Sequence, residues 1–163
     1  DKAEVLADLH LEWHFIGPIQ SNKTRPLAAH MDWIHTVDRL KIARRLNEQR
    51  PEHLGPLNVL IQVNISEEVS KAGVAPEEAL PLANAIAELE HLRLRGLMAI
   101  PAPSPTLQEQ RMPLKRLSTL FNHLRQHHTQ IDTLSMGMSA DLEAAVLEGS
   151  TIVRVGTDIF GAR

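Results

Sequence analysis

The sequence predicts a parallel α/β fold, and three observations carry that prediction. Six short apolar runs rich in branched residues alternate with stretches of helical periodicity. Each run ends at or beside glycine, proline, serine, threonine or asparagine, residues that stop a strand and begin a turn. Aromatic residues make up only 3% and tyrosine is absent, so the core has to be aliphatic. Strands and helices alternating in this way give a parallel sheet covered by helices.

The elements follow in order. The first nine residues read as the end of a helix. Residues 13–17 form a short strand that stops at Gly17-Pro18. A helix runs from Ser21 to His30, with Ser21 or Asn22 as its cap. Residues 33–36 are the second strand, and Asp38 caps a helix to Gln49 whose Leu40, Ile42, Ala43 and Leu46 share one face. Residues 51–56 are a loop. Residues 57–64, dense in Val, Ile and Leu, are the strongest strand. A polar loop over 66–73 leads to a helix from Pro76 to Leu89, where proline suits the first turn. Residues 94–100 are a strand, closed by the stiff Pro101-Ala-Pro-Ser-Pro105 turn. The longest helix spans Gln108 to His128, with Leu114, Leu117, Phe121 and Leu124 on one face and Pro113 as a kink or a reset start. Residues 133–135 are a strand. A helix over 140–148 is capped by Ser139 and closed by Gly149. Residues 152–155 are the last strand, and Asp158–Gly161 make a short turn.

With no repeat, low-complexity tract or linker, residues 1–163 read as one domain. Two architectures use such units: an open doubly wound sheet and a (βα)8 barrel. Six strands are too few for a barrel, so either the sheet is open or roughly two βα units precede residue 1.

Composition narrows the function. The net charge is −3 with both signs interspersed, which argues against a nucleic-acid surface. Without cysteine there are no disulfides or thiolate metal sites, and the absence fits a cytoplasmic protein. No apolar run approaches the ~20 residues of a membrane span, and no signal-like segment opens the chain.

Two segments point to chemistry. Thr133-Leu-Ser-Met-Gly-Met-Ser139 and Ile152-Val-Arg-Val-Gly-Thr157 are strands whose ends carry small hydroxyls and glycine. Such ends leave backbone N–H groups pointing outward with little bulk around them, which suits a phosphate. Gly137 lets the backbone approach a ligand, whereas Ser139 taken alone is explained by capping. Asp141 and Glu143 would repel a phosphate if they faced it. Arg154 sits among apolar residues, where a cation needs a partner, either an acidic side chain or an acceptor on a ligand. Together the segments read as a phosphate-anchored cofactor site. His14 and His35 near strand ends read as structural, with no metal-ligand spacing, and His127-His128 complement a helix C-terminus.

Several motifs resemble one family. These are Phe15-Ile-Gly-Pro-Ile-Gln-Ser-Asn-Lys23, Asn64-Ile-Ser with Lys71-Ala-Gly73, Arg95-Gly-Leu-Met-Ala-Ile-Pro101, Leu134-Ser-Met-Gly-Met-Ser139 with its continuation to Ala145, and residues 149–157 with Ile159-Phe-Gly-Ala-Arg163. In this order they cover nearly the whole chain, which resembles the pyridoxal phosphate homeostasis protein family. The resemblance implies a (βα)8 barrel of the alanine racemase N-terminal type, lacking its first two βα units here, that binds pyridoxal 5′-phosphate. It implies that Ser139, Gly156 and Thr157 hold the phosphate, with Gly137 and Met138 beside them. It implies that Arg154 faces the pyridine nitrogen and keeps it unprotonated, which weakens the ring as an electron sink and fits a carrier and buffer of the cofactor without turnover. The family's Schiff-base lysine is expected upstream of residue 1. Lys2, Lys23, Lys41, Lys71 and Lys115 lie outside the strands and read as solvated. Expected partners are the cofactor itself and apo-enzymes that use it, and a monomer is expected at full length. A racemase-like enzyme is the alternative, but it needs two bases, usually lysine and tyrosine. A (βα)8 enzyme for another phosphorylated ligand would need carboxylates or lysines at several strand ends, and few are present.

Overall fold

The computed structural model describes residues 2–66 and 72–161. The strands are β1 (His14–Phe15), β2 (Trp33–Val37), β3 (Leu57–Gln62), β4 (Leu92–Met98), β5 (Thr133–Met138) and β6 (Ile152–Arg154). The helices are α1 (Lys2–Val5), α2 (Thr24–His30), α3 (Leu40–Gln49), α4 (Ala79–Ala87), α5 (Leu107–His127), α6 (Leu142–Leu147) and α7 (Thr157–Phe160). Every predicted strand is present, although β5 runs on to Met138 and β4 begins at Leu92.

All six strands pair in parallel, and their order in the sheet is their order in the chain. A doubly wound sheet reverses direction at a switch point. This one never does, so the open doubly wound alternative is excluded. The sheet is also curled. Strands three apart in a flat sheet lie about 14 Å from one another. Yet His35 of β2 and Ser135 of β5 meet at 2.9 Å. The described sheet is therefore an arc of a barrel, with β1 and β6 at its edges.

The core has two layers. Outside the arc, Ile34, Val59, Ile61 and Leu97 pack against Ile42, Leu46, Ile86, Leu114 and Leu117 of the helices. Inside it, Trp33, Leu60 and Met98 form a smaller apolar cluster. Burial on both faces explains why β3 reads as a continuous apolar run.

Several local expectations need correction. Neither Ser21 nor Asn22 caps a helix: residues 21–23 form a 3-10 turn, and Thr24 Oγ1 donates to the Ser21 carbonyl at 3.0 Å. Asp38 does not cap α3, which starts at Leu40; its carboxylate pairs with Arg39 at 3.2 Å. Pro113 does not restart α5. The helix begins at a Thr106–Glu109 capping box and continues through the proline on a buried face of Leu114, Leu117, Phe121 and Leu124.

Arg50 is the residue that sequence reasoning passed over. It is 8% exposed and donates to the carbonyls of Ala28 (2.7 Å), Met31 (2.9 Å) and Gly55 (2.8 Å), tying the end of α2 to the turn before β3. Arg50→Ala leaves those carbonyls without their donor. We expect it to lower the unfolding free energy by about 3 kcal/mol, measured by urea denaturation.

Candidate functional site

In a parallel sheet every strand delivers its C-terminal end to the same rim. At that rim β5 and β6 lie side by side, with Met138 paired to Arg154. Ser139 follows β5, and Gly156-Thr157 follow β6. Ser139 Oγ accepts from the backbone N–H of Gly156 at 3.4 Å and of Asp158 at 3.3 Å. Ser139 therefore does not cap α6, which begins at Leu142 behind Asp141. Its hydroxyl instead reaches across to the loop and first turn that follow β6.

A cavity of about 880 Å³ opens here, lined by Met138, Ser139, Arg154, Gly156 and Thr157 among others. Gly137 is buried one residue behind and opens onto a smaller adjoining space of about 90 Å³, shared with Met138 and Arg154. The structure thus gathers all six sequence-predicted residues at one place. Two carboxylates are close by. Asp141 Oδ1 accepts from the Met138 N–H at 2.7 Å and is thereby held by the backbone. Asp158 lines the cavity.

Arg154 reaches from the rim into the barrel. Nη1 donates to Ser135 Oγ at 2.6 Å and Nη2 to the Ala99 carbonyl at 3.0 Å. Both partners are neutral. Burial pulls the guanidinium below its usual range, and Asp141 opposes that effect. A guanidinium has so much margin that it stays cationic.

Beyond Ser135 the contacts continue. His35 Nδ1 lies 2.9 Å from Ser135 Oγ, and His35 Nε2 lies 2.8 Å from His14 Nδ1. His14 stacks on Trp33 with ring centroids 5.4 Å apart, and its Nε2 is 3.7 Å from Glu12. Both histidines are hydrogen-bonded parts of the fold, as expected, but their link to each other and to the cavity was not foreseen. One signal was available: Trp33 and His35, and likewise Thr133 and Ser135, alternate along their strands, which places His35 and Ser135 on single faces.

His35 is 1% exposed, and its pKa is lowered to about 4 by burial first and then by His14 and Arg154. Unfolded, the ring titrates near 6.5. Between these values the unfolded chain binds a proton that the folded one refuses. This contribution to stability is therefore complete above about pH 6.5 and is lost as the pH falls toward 4, by up to about 3 kcal/mol. Denaturation midpoints at pH 7 and pH 5 should differ less in His35→Leu than in the parent protein.

The remaining candidates lie elsewhere. Lys41 and Lys115 are exposed on α3 and α5. Lys23 is exposed beside a separate cavity on the β1 side. Lys71 lies outside the described residues. His128 Nε2 is 2.8 Å from Asn84 Oδ1, while the His127 ring packs on His123. Among the described residues no group of three His, Cys, Asp or Glu could hold a metal, and no helix is long and apolar enough to cross a membrane.

Comparison with known proteins identifies the family and the fold. Residues 3–163 match the family model described as alanine racemase, N-terminal domain. Two proteins named pyridoxal phosphate homeostasis protein are each 60% identical. The one from Haemophilus influenzae aligns over 95% of this chain and 66% of its own length. For that from Pseudomonas aeruginosa the shares are 99% and 69%. The chain thus spans about two thirds of the length of these relatives. The solved structure of PipY from Synechococcus elongatus with PLP bound superposes with a TM-score of 0.86 at 35% identity, over 98% of this chain and 76% of that one. An alanine racemase of Clostridium difficile shares the fold at 16% identity, with a TM-score of 0.74 over 99% of this chain and 43% of its own. The chain therefore belongs to the alanine racemase N-terminal domain family and, within it, to the pyridoxal phosphate homeostasis proteins.

Proposed function

We propose that the β5–β6 rim is the phosphate and ring-nitrogen side of a pyridoxal 5′-phosphate site, in a protein that carries and buffers the cofactor in the cytoplasm without turning over a substrate. The observation that carries this reading is the convergence of Ser139, Arg154, Gly156 and Thr157 on one cavity. The donor set fits the group. Two backbone N–H groups, of Gly156 and Asp158, already turn toward one oxygen, that of Ser139. Two hydroxyls stand beside them, and a β-carbon placed on Gly156 would meet nothing within 4 Å. Such a cradle matches a phosphate, with Asp158 set against it as a like charge.

Arg154 can only donate, so it meets a ring nitrogen as a lone pair and disfavours its protonation. The cofactor supplies an aldehyde that reacts with amines and a ring that can take up electrons. An unprotonated ring is the poorer acceptor, which suits safe carriage. The covalent lysine belongs, on this reading, to a strand before residue 1, and the cofactor passes to apo-enzymes that need it. A PipY structure with PLP bound and relatives named for pyridoxal phosphate homeostasis support the reading.

Arg154→Ala should weaken cofactor binding by about 1–3 kcal/mol and Ser139→Ala by about 1 kcal/mol, read by titration of the whole protein with pyridoxal 5′-phosphate. Unchanged retention in both variants would dismiss the site. Turnover of an amino acid well above that of free cofactor, in a racemisation assay, would replace the carrier with an enzyme.

A further inference from the structure

The contacts behind Arg154 have a direction. A guanidinium has no acceptor, so Ser135 Oγ must accept from Arg154 Nη1 at 2.6 Å. Ser135 has one proton to donate, and His35 Nδ1 at 2.9 Å is the acceptor its described contacts offer. That makes Nδ1 the acceptor of the His35 ring and Nε2 its donor, toward His14 Nδ1 at 2.8 Å. The other His14 nitrogen, Nε2, lies 3.7 Å from Glu12. Glu12 also accepts from Trp33 Nε1. Ser135 and His35 each accept on one side and donate on the other, and such chains polarise along their length. Ser135 is fully buried and His35 nearly so. The Ala99 carbonyl holds Nη2 from the β4 side at 3.0 Å.

We propose that Ser135 and His35 are positioning residues for Arg154: their one-way hydrogen-bond chain fixes the direction of its guanidinium and so sets the preference of the cavity for phosphorylated rings that carry a nitrogen acceptor. This rests on the cofactor site proposed above and identifies what determines its specificity. A guanidinium on a side chain with several rotatable bonds can point many ways. Two fixed acceptors, one on β5 and one just after β4, leave it one orientation. The Ser135 hydroxyl can hold its lone pair toward Arg154 only while His35 takes its proton.

The test compares two ligands by calorimetric titration of the whole protein: pyridoxamine 5′-phosphate and its analogue with a ring CH in place of the nitrogen. Neither has an aldehyde, so a covalent lysine plays no part. The parent protein should prefer the nitrogen ligand about tenfold or more, and Arg154→Ala should abolish the preference. In Ser135→Ala and His35→Leu the preference should fall below about threefold while affinity for the CH analogue stays unchanged. If those variants keep the full preference, or lose both ligands equally, the positioning role is overturned. Should His35→Leu fail to fold, Ser135→Ala alone decides, since it removes one oxygen. If the parent protein and Arg154→Ala bind the two ligands alike, the cofactor-site reading itself falls, and the positioning proposal with it.

Discussion

Gly96→Ala should unfold the protein or cost at least about 4 kcal/mol, a large part of a domain's total stability. Gly96 lies in β4 where the pairing with β3 shifts register, and it faces Thr133 of β5. A β-carbon there would stand 1.8 Å from the Thr133 carbonyl oxygen and 3.1 Å from the Phe121 ring. Both the oxygen and the ring belong to well-packed structure, so neither yields cheaply. The backbone at φ +154 adds strain for any side chain. Relief requires prising β4 from β5, which would open the barrel arc at its middle. A melting temperature within a few degrees of the parent protein would contradict this; a fall of about 10 °C or insoluble expression is the expected result.

Gly137→Ala should cost several kcal/mol and remove ligand binding as well. Gly137 adopts φ +94, and a β-carbon on it would lie 2.4 Å from that of Ala145. Ala145 is buried in α6, so the helix would have to move outward by about an ångström to restore ordinary contact. Met138 and Ser139 follow directly, so the rim would move with it. Gly156→Ala provides the contrast. Its added methyl meets no protein atom within 4 Å, so the melting temperature should hold while pyridoxal 5′-phosphate binding weakens. Equal melting temperatures for Gly137→Ala and the parent protein would show that α6 gives way more easily than its packing implies.

The fold was readable because strand and helix signals alternate cleanly, and because one strongly apolar strand betrays burial on both faces. What escaped was context. The Ser139 and Asp38 caps were inferred from residue type, yet a cap depends on where the helix starts. α6 starts behind Asp141 and α3 at Leu40. The sequence reading ends β5 at Ser135, whereas the strand continues to Met138. The six residues placed at the site were legible for a topological reason: parallel strands that neighbour each other deliver their ends together. Arg50 and the His14–His35–Ser135 chain were not legible, because each makes its contacts through the curl of the sheet or through loop carbonyls, which local periodicity does not encode.

Because strand order follows chain order, each strand finds its partner one helix later, as Gly96 does with Thr133 and Ser135 with Ile152. Pairing can therefore proceed stepwise as the polypeptide emerges, with little loop entropy lost at each step. The link between His35 and Ser135 is different, for it joins residues 100 positions apart. It can close only after the four strands from β2 to β5 are in place. Ligand competence should thus mature after the bulk of the secondary structure has formed.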